Sequence, residues 1–575
     1  MQVNFCKNPS CVQFGVPLDT TAARGMGATN SYRLSGQGKG RGGAICMACG
    51  ESFPLKSNQG VFEETWRIMS ETFPMTSCPS VLCGNHRVPI GTIKAYQSFG
   101  HTATGSSRYR CTQCLGTFSV ALPGRNPIAR QEQSHKNKMI LSMLVGKMPL
   151  RRICEAADVT PRVLYARIDF FHEQALAFLA DREQHLATMR IPRLYIGVDR
   201  QDYMINWSRR QDRRNITLSA VASADNASGY VFGMHPNFDP ELDPVEIESQ
   251  ALAINDAGSP QQHRRFARVW LQADYDVAKT KPQPSSSRGG LVSRIANRYA
   301  ETQSRPDIES PEAPSMSERL PEHGMQIHAE YTLYGHFLAL HRLLDQVGKV
   351  RFFLDQDSGM RAACLGSFVD RIQARTCDAF YVRIAKDLTI DEKRRRMKEA
   401  QQAFKAEAAT HPELDENELK LRLLKQRIIE ARTIGPWKDR WVMHPLPTMA
   451  EPEKALCYLT DMGDYDDDHL AWLHNKASLH GVDSWFNRLR RRCSMLERPM
   501  SSAGNRGRVW NGYSPYRPEQ VAKLLTILRA CHNYIWVGEG NRAKERGTPA
   551  MRLGLARAPL DYNEIIYYSR TAQPK

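Results

Sequence analysis

At 575 residues the chain exceeds what one hydrophobic core usually organises, so three or four domains are expected. Hydrophobic residues make up 41% and charged residues 24%, and no apolar run approaches the roughly 18 residues of a membrane span, which argues against a membrane protein. The net charge of +17 is uneven: residues 1–190 hold 22 basic against 12 acidic residues, 484–575 hold 17 against 6, and the middle holds 39 against 43. Two basic ends around a slightly acidic centre suit a protein that grips a polyanion through terminal modules. The start, Met1-Gln2-Val3-Asn4-Phe5-Cys6, has no basic or apolar signal region, so a cytoplasmic protein is expected.

Eight of the fourteen cysteines fall in the first 114 residues, as Cys6, Cys11, Cys46, Cys49 and then Cys78, Cys83, Cys111, Cys114. Each set reads C-x4-C, a long loop, C-x2-C. A short pair sends two thiolates from one turn toward a single ion, and two such turns close a tetrahedron around Zn²⁺. Two zinc ribbons are expected, over 1–60 and 61–125. Because the first pairs depart from the commoner C-x2-C, His86 or His101 remains open as a substitute ligand. The scattered Cys154, Cys364, Cys377, Cys457, Cys493 and Cys531 read as buried thiols.

Within 126–190, residues 134–178 carry helical periodicity broken at Pro149 and Pro161. Leu150, Ile153, Cys154 and Ala157 form the apolar side of a short helix, Thr160 is an N-cap and Pro161 a first helical residue. The pattern predicts two short helices, a helix-turn-helix with Arg162, Tyr165 and Arg167 turned to the major groove of double-stranded DNA.

From Ile191 the period becomes two, with strands at Leu194–Asp199, Ile216–Ser223 and Tyr230–His235, then a helix near 331–347, a strand Val350–Asp355, a helix near 360–374 and a strand Ala379–Ile384. That order, β-β-β-α-β-α-β, is the order of a ribonuclease-H-like mixed five-strand sheet within an α/β multidomain chain. The catalytic domain is read as 191–278 and 326–390. It is split by a Pro/Ser-rich excursion at 279–325, too poor in apolar residues to fold alone, and followed by a charged helical insertion at 391–470. Residues 471–575 form a last helix and a basic tail.

Two Mg²⁺ or Mn²⁺ ions held by carboxylates activate an attacking water or 3′-hydroxyl and stabilise the leaving oxygen of a phosphodiester. Asp199 on the first strand, Asp355 ending the fourth and Asp483 on the late helix supply the set, and Asp483 shares a helix face with Arg490. Asp357 competes with Asp355, Glu497 with Asp483, and Asp202 and Asp225 with Asp199. Arg488, Arg490, Arg491 and Arg492 lie beside the third acid, and Arg209, Arg210, Arg213 and Arg214 in the first strand turn, both placed for phosphates. Trp510, Tyr513 and Tyr516 read equally as core or as base-stacking groups. Asp464, Asp466 and Asp468 have the spacing that opens a calcium loop, but His469 and Asn475 stand where it needs Gly and Glu, so a solvated helix start is expected.

The segment Tyr96 to Cys114, with Arg108-Tyr109-Arg110-Cys111-Thr112-Gln113-Cys114, resembles the zinc ribbon opening many bacterial insertion-sequence transposases. Asp199, the run Leu354-Asp355-Gln356-Asp357-Ser358-Gly359 and the helix Asp483-Ser484-Trp485-Phe486-Asn487-Arg488-Leu489 resemble the D, D and E/D motifs of DDE transposases, the second closest to Mutator-like elements. Tyr516-Arg517-Pro518, Asn533-Tyr534 and Thr548-Pro549-Ala550 are similar to the endings of bacterial insertion-sequence transposases. The resemblance implies a mobile-element enzyme that binds element ends, cleaves DNA and transfers the strand, as a homo-oligomer on DNA. A catalytically silent DNA-binding regulator and a structure-specific nuclease are the rival expectations.

Overall fold

The computed structural model describes residues 2–18, 31–35, 42–73, 76–120, 128, 131–280, 290–303, 314–385, 388–435, 437–498, 509–539 and 546–569. Its centre is an eight-stranded mixed sheet. The strands are β1 (Arg193–Ile205), β2 (Ile216–Asp225), β3 (Val231–Pro236), β4 (Lys349–Asp355), β5 (Cys377–Ile384), β6 (Arg432–Ile434), β7 (Asp439–Met443) and β8 (Lys454–Tyr458). They lie side by side as β6-β7-β8-β5-β4-β1-β2-β3. Only β4 pairs in parallel, with β1 on one side and β5 on the other; the remaining pairs are antiparallel. Among the described residues no helix is long and apolar enough to cross a membrane.

Alternation in β1 sorts its side chains to two faces. On one, Phe352 of β4 meets Phe337 and Phe368 edge-on under the helices Ala329–Leu343 and Ser358–Ser367. On the other, Tyr195 stacks on Phe353, and the helix His480–Arg492 crosses so closely that a Cβ on Gly197 would lie 3.5 Å from Val482. The β2–β3 turn is fixed by Asp225, whose carboxylate accepts from the amides of Ser228 and Tyr195, and by Gly229 at φ +73°. At the β3 edge the helix Glu519–Tyr534 inserts Asn533, which bonds both the N–H and the C=O of Val231.

Four segments differ from the sequence expectation. Across the expected boundary at 60/61, Asn58–Thr72 is one helix packed into the body, where its Glu63 and Glu64 meet Arg268, which is only 3% exposed. The second short helix of the expected helix-turn-helix is a 24-residue helix, Pro161–Gln184, whose later turns bury Phe171, Phe178 and Leu179. Its start obeys the reading, with Thr160 capping the amide of Val163 and Pro161 leading the first turn.

The 279–325 excursion contains the helix Leu291–Gln303, which buries Leu291, Ile295 and Tyr299 against the body. The Pro/Ser runs at 281–287 and 310–313 lie outside the described residues. The 391–470 insertion holds the expected helical pair, Ile390–Thr410 and Glu416–Ile429, but also β6, β7 and β8, which widen the sheet beyond β5. Asp466 caps the helix Asp467–Lys476 through the amide of His469, and Asp464 pairs with Arg375, so the acidic cluster there is a solvated helix start.

Candidate metal centres and carboxylate cleft

The two cysteine sets gather as two groups of four, and among the described residues these are the groups of three or more metal-binding side chains whose ligand atoms lie within 4.8 Å of one another. Sulfur separations are 3.5 Å for Cys6–Cys49, 3.7 Å for Cys11–Cys46, 3.5 Å for Cys78–Cys114 and 3.6 Å for Cys83–Cys111. A tetrahedral ion with Zn–S near 2.3 Å places its sulfurs about 3.8 Å apart, so both sets suit zinc. Each set sits at one end of a three-stranded antiparallel sheet, Tyr32–Ser35, Gly43–Cys46 and Ser52–Pro54 in the first and Tyr96–His101, Ser107–Cys111 and Thr117–Ser119 in the second. Burial pushes the Cys111 thiol up, but the amides of Cys114 and Gln113 and the side chain of Asn85 outweigh it, bringing the group down to about 6. The same balance, set by the amides of Cys49 and Ala48, lowers Cys46. Burial raises the thiols of Cys6, Cys11, Cys78 and Cys83, so within each group the turn amides favour the thiolate at the first cysteine of the C-x2-C pair and a metal would have to displace protons from those four. His86 instead bonds the carbonyl of Cys78 through Nδ1, and all four ligands of each group are cysteines.

A cleft of about 370 Å³ opens at the C-terminal end of β4, lined by Asp199, Asp202, Glu318, Asp355 and Asp357 among others. Strand register places two of these acids together. Leu354 is paired with Val198, so the next residues, Asp355 and Asp199, are neighbours across parallel strands on one face, about 4.8 Å apart in strand spacing. That is the face over which His480–Arg492 runs, with Val482 above Gly197. Asp483 therefore belongs to the same face of the sheet as the strand acids, although it does not line the cleft. The oxygens of the three acids are not drawn within 4.8 Å of one another.

Asp202 is exposed and lines the cleft, whereas the other three competitors are engaged by neighbouring groups. Asp357 is buried, caps Met360 at 3.0 Å and pairs with Arg200 and, at 3.5 Å, with Arg298. Burial pushes its carboxyl up, but the two guanidiniums and the amides of Met360 and Gly359 prevail and hold it below the usual range. Asp355 keeps a partly open side chain with Arg383 at 3.8 Å. Glu497 pairs with Lys147 at 3.1 Å, and Asp225 serves its turn. Glu318 lies in the excursion that sequence reasoning set aside. Burial raises its carboxyl, while Thr217 at 3.0 Å and the amide of Ser315 lower it less. No periodic or motif signal marks that residue.

The expected DNA-contacting residues divide. Arg162 and Tyr165 are exposed at the start of Pro161–Gln184. Arg167, expected beside them, is buried and donates to the carbonyl of Glu132, because helical spacing turns it onto the body. Arg488 is half-buried against His532 at 3.1 Å, Arg490 bonds Asn487, Arg491 is exposed, and Arg492 lies over the Trp536 ring. Of that run, Arg491 is thus the group most open to a phosphate. Compared with known families and curated proteins, the chain matches no family model and no curated protein.

Proposed function

We propose that the chain is a metal-dependent DNA transposase, with a ribonuclease-H-like catalytic domain that cleaves DNA at the ends of a mobile element and joins the freed strand to a target. The observation that carries this reading is the adjacency of Asp199 and Asp355 on parallel strands, facing the helix that bears Asp483. The order β3-β2-β1-β4-β5, with β4 parallel to both neighbours, supports the fold assignment. Asp199, Asp355 and Asp483 would hold Mg²⁺ or Mn²⁺, since hard divalent ions take carboxylate oxygens. A bound ion would supply Lewis-acid stabilisation of charge at phosphorus and an activated attacking oxygen.

The chain's own groups do the rest. Arg383 beside Asp355 and Arg491 on the late helix would meet phosphate oxygens. The cysteine groups would hold structural Zn²⁺, and the exposed start of Pro161–Gln184 would read double-stranded element ends. Handling two ends at once favours a homo-oligomer on DNA.

The test is a cleavage and strand-transfer assay with Mg²⁺ or Mn²⁺, comparing wild type with Asp199→Ala, Asp355→Ala and Asp483→Ala. Each substitution is expected to remove activity to background while leaving the fold intact. Full activity in all three variants refutes the assignment.

A further inference from the structure

Three segments far apart in sequence meet beside the cleft. The β1–β2 loop, 206–215, is joined to the 509–517 segment by hydrogen bonds. Asn206 N–H donates to the Pro515 carbonyl at 2.9 Å, its side chain meets Ser514 and Asn511, and Asn215 donates to the Val509 carbonyl at 2.9 Å. The same loop borders the cleft, because Asn215 N–H donates to the Ser317 carbonyl and Thr217 to Glu318.

The 509–517 segment displays large aromatic groups close together in the chain: Trp510, Tyr513 and Tyr516 are 38%, 50% and 49% exposed. It and the loop hydrogen-bonded to it carry the exposed Arg209, Arg210, Arg213 and Arg517, with Arg213 over the Trp207 ring and Arg517 3.7 Å from Glu519. Its acids are answered locally, Asp212 by Arg214 at 2.8 Å and Glu322 by Arg209 and Arg319. Flat aromatic faces interleaved with net positive charge match a strand that offers both bases and phosphates. A paired base keeps its faces against its neighbours, so only unpaired nucleotides can stack there.

We propose that this surface is a platform for unpaired DNA, where bases opened near the cleft stack on Tyr513, Tyr516 and Trp510 and the arginines take the phosphates. The proposal rests on the reading of the chain as a DNA enzyme and adds the single-stranded state of its substrate.

The experiment measures binding of the full zinc-loaded chain to a labelled dT20 oligonucleotide and to a 20-base-pair duplex by fluorescence anisotropy, without added Mg²⁺ or Mn²⁺. Wild type is compared with Tyr513→Ala/Tyr516→Ala and with Tyr513→Phe/Tyr516→Phe. Each stacked base is worth about 1–3 kcal/mol, so the alanine pair is expected to weaken dT20 binding tenfold or more, with the duplex changed less than twofold and the phenylalanine pair close to wild type. No dT20 binding by wild type, an alanine pair that binds dT20 like wild type, or equal losses for dT20 and duplex each overturn the platform. Because the readout needs no catalysis, an inactive chain that still shows the tyrosine-dependent preference for dT20 overturns only the transposase reading. An active chain without that preference overturns only the platform.

Discussion

A carboxylate that is both buried and charged must be held by cations and amides, and Asp357 is held by Arg200, Arg298 and the cap of Met360. Its folded pKa lies below that of the unfolded chain, near 3.9, so the unfolded state binds more protons as the solution is acidified. The stabilisation is complete above about pH 4–5 and is lost as pH falls through the folded value. Asp357→Asn leaves two guanidiniums facing a neutral amide, and about 3–5 kcal/mol of stability is expected to go at pH 7. The variant's loss should shrink as pH falls below about 4, where the unfolded chain's carboxyl takes up a proton that the folded carboxyl still refuses. Urea unfolding of both proteins at pH 7 and pH 3 checks this, and a pH-independent difference would dispose of the charge argument. Asp355→Asn, by contrast, is expected to unfold like wild type while losing cleavage.

The same distinction runs through the C-terminal sequence. Asn533 satisfies both backbone groups of Val231, and Arg552 donates to the carbonyl of Ser228, so these residues clamp the last helices to the first strands and do not line the cleft. Asn533→Ala strands a buried N–H and C=O, and about 1–3 kcal/mol of destabilisation is expected in the same urea measurement.

At the scale of elements, legibility followed apolar periodicity. Strands β1 to β5 announced themselves because each alternates or runs apolar for five residues or more, with Gly, Asn or Pro beside the first four. Strands β6, β7 and β8 did not. They are three to five residues long, and their pairing depends on β5 rather than on any pattern of their own. The helix Leu291–Gln303 was missed for a related reason. Three apolar residues at i, i+4 and i+8 cannot stabilise a helix in water, yet they suffice where a finished core waits for them. Ile295 is fully buried, its carbonyl accepts from Gln356, and the Tyr299 hydroxyl bonds Asp439 and Trp441. The acids of the candidate site were legible because chain order fixed their strands. The arginines on Asp357 were not, since one comes from β1 and the other from this helix. If the helix is part of the core, Ile295→Ala is expected to cost about 2–5 kcal/mol in thermal or urea unfolding. A loss below about 0.5 kcal/mol would mean that the excursion does not contribute to stability.

For the whole molecule, the two cysteine groups are integrated to different depths. The first is built into the body. Glu51, next to the Cys46–Cys49 turn, accepts from the Lys7 amide and pairs with Arg361 of Ser358–Ser367 at 2.7 Å, while Lys56 meets Glu330 and Gln373 bonds the Phe14 carbonyl. The second presents a mostly exposed strand, Tyr96–His101, and reaches the body through Arg87 and Glu63 at 2.7 Å and through Val81 and Leu82, which pack against the edge of the main core. Because metal binding to such turns is folding free energy, losing the first ion should loosen the helix that begins at Asp357, whereas losing the second should melt a peripheral module. Wild type is expected to hold about two zinc ions per chain, and Cys46→Ser and Cys111→Ser about one each. The main thermal transition of Cys46→Ser should fall by several degrees, at roughly 2–4 °C per kcal/mol, with that of Cys111→Ser within a degree or two of wild type. Calorimetry with zinc analysis on the same samples decides it. An equal fall in both variants would show that the second group is as deeply coupled to the body as the first, and is not a peripheral module.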